Sequence, residues 1–152
     1  MYINYTMSYL KKDKKRVVVA VDTSPHADVV VKRATELASL VDADVNIVTV
    51  IDTVSIPAEG EVITLEDSDR NTVDHHRYLI DKYFANTSGI LIESVILYGD
   101  VADKICEIAD KVNADLVVIG SRGLSKIQSV LLGSVSEKVI KKCSKSVLVV
   151  KV

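Results

Sequence analysis

At 152 residues the chain fits a single domain, long enough to bury roughly two thirds of the surface its unfolded form exposes, so stability calls for neither disulfides nor a structural metal. Hydrophobic residues make up 48% and charged residues 26% with a net charge of -2, which excludes a strong field for nucleic acid or an anionic membrane and fits a soluble globular protein. No apolar run approaches the roughly 20 residues of a membrane helix and no secretory leader opens the chain, so a cytoplasmic location is expected.

The first segment, residues 1–15, reads as a flexible arm. Tyr2, Ile3, Tyr5, Met7, Tyr9 and Leu10 precede Lys11, Lys12, Lys14, Lys15 and Arg16, and the lysines read as solvated. Residues 16–152 form the domain. A first strand is expected from Arg16 to Val21, followed by Asp22, Thr23 and Ser24. Ser24 before Pro25 reads as the cap and first turn of a helix whose apolar face is Ala27, Val30, Val31, Ala34, Leu37, Ala38 and Val41. A second strand runs from Asp44 to Val50. The stretch 52–68, with Pro57, Gly60, Glu59, Glu61, Glu66 and Asp67 and no periodicity, reads as a long acidic loop. A helix follows over about Asp69 to Thr87, using Val73, Ile80, Tyr83 and Phe84, and then a third strand from Leu91 to Leu97.

Asp100 caps the next helix, whose stripe is Ala102, Ile105, Cys106, Ala109 and Val112. A fourth strand spans Asp115 to Ile119, a fourth helix Val135 to Lys142, and a fifth strand Ser146 to Val152. Strands and helices alternating in this way form βαβ units, so the fold class is α/β with a parallel sheet. The two cysteines, Cys106 and Cys143, fall on apolar helix stripes and read as reduced, buried thiols. His26, His75 and His76 read as surface histidines. Adjacent His75 and His76 point to different helix faces and do not gather round one metal.

Ligands of open parallel sheets bind beyond the carboxyl ends of the strands. After strand four come Gly120 and Gly123 with Ser121 and Arg122 between them, then nine residues, then Gly133, Ser134, Val135 and Ser136 at a helix start. Glycines without side chains and a helix amino end are suited to bring backbone amides close to a phosphate, with Arg122 available to pair with it. Asp22 after strand one suits a sugar hydroxyl or an adenine amine, or simply closes a turn; Ser24 suits an anion or its own cap. No Lys follows Gly133 as in a P-loop and no GxGxxG follows strand one, so a different type of nucleotide site is implied.

Val17 to Ser24, Ala114 to Gly123 and Gly133 to Ser136 together resemble the universal stress protein family, over about residues 16–152. The spacing glycine, two residues, glycine, nine residues, glycine, then serine is similar to that of the family's ATP-binding subgroup. The resemblance implies a single open, five-stranded parallel sheet of order 3-2-1-4-5 with helices on both faces, of the adenine nucleotide alpha hydrolase type. It implies that Asp22 and Val50 line the adenine and ribose pocket, that Gly120, Arg122, Gly123, Gly133, Ser134 and Ser136 hold the triphosphate with a backbone contact from Val135, and that a divalent Mg or Mn ion bridges phosphate oxygens. It also implies a homodimer through the last strand, Ser146 to Val152. Lys145 stands where many relatives have proline. No hydrolytic centre is marked, so the expectation is a nucleotide-dependent regulatory module, with a slow ATPase or a nucleotide-free scaffold as alternatives.

Overall fold

A computed structural model describes residues 14–53, 65–123 and 132–152. Most of the arm, the middle of the acidic loop and most of the stretch between Gly123 and Gly133 therefore lie outside the described residues.

Five strands form one parallel sheet in the order β3-β2-β1-β4-β5. They are β1 (Arg16–Ala20), β2 (Asp44–Asp52), β3 (Ile92–Gly99), β4 (Leu116–Gly120) and β5 (Ser146–Val150), and the helices between them are α1 (His26–Val41), α2 (Leu65–Phe84), α3 (Val101–Lys111) and α4 (Ser134–Lys142). The alternation of side chains along a strand divides β1 between two cores. Val17 and Val19 pack with Val31, Ala34 and Leu79 of α1 and α2 on one face. Val18 and Ala20 pack with Ile105, Ala109 and Val139 of α3 and α4 on the other. Strands covered on both sides read as continuous apolar runs, which is why β1 and β4 are recognisable in the sequence.

At the amino ends of the strands the polar groups pair with one another. Buried Asp44 accepts from the amide of Leu91 at 2.9 Å and pairs with Lys14 Nζ at 2.9 Å. That hydrogen bond raises the Lys14 pKa. Lys15 pairs with Asp115 at 2.9 Å, and the Arg16 guanidinium donates to the Val112 carbonyl at 2.7 Å. Lys14 is thus engaged by a buried carboxylate, where the sequence suggested a solvated lysine, while Lys15 stays largely exposed in its pair.

Three expectations need correction. The acidic stretch ends earlier than expected because α2 starts at Leu65, and it closes at Phe84, whose carbonyl accepts from the Thr87 hydroxyl at 2.8 Å. Glu66 and Asp67 therefore belong to the start of a helix and not to the loop. Cys106 and Cys143 are joined as a disulfide between α3 and the end of α4, with Cα atoms 5.0 Å apart. They are half-buried and are not free thiols. His76 is 1% exposed and lies under the sheet. The Thr49 hydroxyl donates to the Val21 carbonyl at 2.8 Å, so it accepts from His76 Nε2 at 2.7 Å; His76 Nδ1 then accepts from the Ser94 hydroxyl at 2.6 Å. Burial, aided by neighbouring His75, pushes the His76 pKa down to about 4 and keeps the ring neutral.

Candidate nucleotide site

Most of the candidate site residues gather where β1 and β4 end side by side. Strand order reverses at that point, because β1 leads across the sheet to β2 while β4 lies on its other side. Pairing between β1 and β2 continues one residue past the strand, with the Val21 amide donating to the Val48 carbonyl at 2.9 Å. Asp22 therefore emerges beside the end of β2, where half-buried Val50 is in register with Leu97 of β3.

Asp22 closes its own turn and also faces the glycine loop. Its Oδ1 accepts from the Ser24 amide at 3.0 Å. Its Oδ2 occupies the space that a β-carbon on Gly123 would need. Gly123 is thus set by close approach, since no positive φ is found there. The turn also changes the reading of Ser24. The N-cap of α1 is Pro25, without a side-chain cap bond, and the Ser24 hydroxyl is buried with no partner. A buried hydroxyl left unpaired costs stability, and a ligand would supply the missing bond.

On the β4 side, Gly120 ends the strand opposite Val150 and Ser121 fastens the loop. The Ser121 amide donates to the Val150 carbonyl at 2.7 Å, and its hydroxyl accepts from the Val152 amide at 3.1 Å. Its carbonyl accepts from the Gly133 amide at 2.7 Å and from the Ser136 hydroxyl at 3.2 Å. A β-carbon on Gly133 would stand 3.2 Å from that same carbonyl. The start of α4 is thereby held against the end of β4. Arg122 sits between, with its Nε buried and without a partner.

Asp22, Gly123, Arg122, Gly133 and Ser136 are therefore neighbours in one cluster, joined to Ser24 through Asp22. Ser134 is the exposed first residue of α4 and Val135 is half-buried beside the α3 and α4 core. The Ser136 hydroxyl turns inward, to the carbonyls of Ser121 and of Gly133 at 3.1 Å, so its part is to shape the loop. The amino end of α4 presents unpaired backbone donors and partial positive charge. Ser121 was visible between the glycines, but most of its role rests on its backbone amide and carbonyl, which no residue type announces; its hydroxyl adds the bond from the Val152 amide.

A sequence model of the universal stress protein family matches residues 14–151. The chain belongs to that family. It is 34% identical over 144 residues to a universal stress protein of Methanocaldococcus jannaschii, covering 90% of this chain and 82% of that one. Among solved structures, a universal stress protein in complex with cAMP is 30% identical with a TM-score of 0.70, covering 90% of this chain and 96% of that one. The universal stress protein from Archaeoglobus fulgidus in complex with dAMP is 27% identical with a TM-score of 0.66, covering 89% and 96%. The sheet order expected from the resemblance is the order found.

Proposed function

We propose that this universal stress protein is an ATP-binding regulatory module. The observation that carries the reading is that two buried polar atoms without partners, Ser24 Oγ and Arg122 Nε, belong to residues next to the Asp22 and Gly123 contact in the chain, beside the amino end of α4. Asp22 and Val50 take the adenosine end. The Gly120 to Gly123 loop, Arg122 and the α4 start at Gly133, Ser134 and Val135 take the phosphates, with Ser136 supporting them. Relatives of the same fold in complex with cAMP and dAMP support an adenine nucleotide as the ligand class. The step from a monophosphate to ATP rests on the glycine spacing and on Arg122.

Among the described residues no three His, Cys, Asp or Glu side chains converge as cation ligands, so a Mg or Mn ion would take its ligands largely from the phosphates. The protein's contribution in this reading is binding and orientation, since no motif marks Asp22, the carboxylate of the cluster, as a base for water. The module works as a homodimer through β5, an edge strand whose Val147, Leu148 and Val149 are only half-buried. Its place is the cytoplasm; among the described residues no helix is long and apolar enough to cross a membrane.

Titration calorimetry with ATP and with AMP tests the reading, using the wild type and Gly133→Val. A β-branched side chain would push into the Ser121 carbonyl and lift the amides from the phosphate, so ATP affinity should fall while the sheet stays folded. Equal ATP affinity in a folded Gly133→Val protein would overturn the site.

A further inference from the structure

The bond between Cys106 and Cys143 fastens the same helix that the nucleotide site depends on. α4 has nine residues, and its buried side chains are Ser136 and Val139. Its amino end is held by the Ser121 carbonyl, and its carboxyl end, where Cys143 is the cap residue, is held to α3 by the disulfide. The other ties to α3 are Lys138 with Asp100 at 3.7 Å, Lys142 with Asp103, and the Ser144 hydroxyl donating to Asp110 at 2.6 Å. Those ties lie among exposed side chains, where ion pairs contribute little. Apolar packing of Val139 with Ile105, Ala109 and Val112 holds the middle of α4 to the α3 face, and the disulfide is the covalent tie at its carboxyl end. Both cysteines are half-buried, so a small reductant or a redox partner has access to them.

We propose that Cys106 and Cys143 form a redox-controlled clamp on the phosphate end of the site, with a protein or small-molecule dithiol as the reductant. The thiolate of the dithiol attacks one sulfur, breaks the bond between the two cysteines and forms a mixed disulfide, releasing the other cysteine as a thiolate that takes up a proton. The second thiol of the reductant then closes its own disulfide and releases the remaining cysteine as a thiol. Two electrons and two protons pass to the protein. In the oxidised form α4 is preorganised and its first amides are fixed; in the reduced form α4 moves against α3, and ordering it again opposes nucleotide binding. In a reducing compartment a disulfide of this kind is transient and responsive. The inference rests on the ATP reading for its ligand, but the helix behaviour is measurable without one.

The test compares oxidised protein, protein reduced with dithiothreitol, and the Cys106→Ala/Cys143→Ala double variant, by ATP calorimetry and by amide hydrogen exchange. Reduction should weaken ATP roughly tenfold, within the span usual for coupling between two sites, and reoxidation should restore it. Exchange should speed up over residues 133–137 and stay unchanged over 117–119, and the variant should match the reduced form. Equal affinity and equal exchange in all three would overturn the clamp, as would faster exchange spread through the whole sheet, which would make the bond a general staple. If even the oxidised protein ignores ATP, the functional reading fails by itself; selective loss of protection over 133–137 then still sustains the clamp, and its absence ends it.

Discussion

The two ends of the sheet solve the same problem in opposite ways. At the amino ends of the strands, charged and polar groups find partners within the chain: Lys14 and the Leu91 amide meet Asp44, Lys15 meets Asp115, and Arg16 meets the Val112 carbonyl. At the carboxyl ends, Ser24 Oγ and Arg122 Nε are buried without partners and a helix presents its first amides. A folded chain satisfies its buried polar groups wherever it can, and the proposed nucleotide would satisfy the two left open at this end. Stability and binding are therefore separable by position along the strand axis.

Substitutions at the two ends should break in different readouts. The largest effect belongs to the amino end. Asp44→Ala leaves the Leu91 amide and Lys14 without their buried carboxylate and should cost about 3 kcal/mol, seen as a drop of roughly 10 °C in Tm, with ATP affinity unchanged. A comparable loss should come from acid. His76 is neutral when folded, with its pKa lowered to about 4, against about 6.5 unfolded, so the unfolded chain binds the extra proton first. Stability present above pH 6.5 should fall by about 3 kcal/mol as the pH drops towards 4, measured by urea denaturation across that window, and His76→Gln should flatten the slope.

The carboxyl end should respond in affinity. Gly123→Val drives a side chain into the Asp22 carboxylate and should weaken ATP roughly a hundredfold, about 2.7 kcal/mol, while Tm moves little. The smallest effect is the most discriminating. Ser24→Ala removes an unpaired buried hydroxyl, so calorimetry should show ATP about fivefold weaker while thermal unfolding shows unchanged or slightly higher stability. A stability loss at Ser24, or an affinity loss at Asp44, would erase the separation between the two ends.

Much of the sheet was legible because β1 and β4 are apolar runs and α1 repeats its alanines and valines at helical spacing. The glycine loop was legible for a different reason, since missing side chains mark where something must approach closely. What stayed hidden depended on partners far away in sequence. Cys106 and Cys143 lie 37 residues apart, and each alone looks like a core residue on a helix stripe. His76 carried a signal that its neighbour obscured: it stands three residues after Val73 and four before Ile80, on the face that meets the sheet. Ser24 is a good cap residue by type, but the Asp22 carboxylate holds its amide in a turn and shifts the helix start past Pro25. The acids of the first turn of α2 looked like a loop because helix starts and loops favour the same residue types.

The most direct measurement is to denature freshly purified protein, prepared without added nucleotide, and identify any released small molecule by chromatography and mass spectrometry, followed by an ATP titration of whatever protein is empty. The account predicts ATP, either carried through purification in near-stoichiometric amount or bound on titration. Protein that releases no nucleotide and gives no heat with ATP would contradict it.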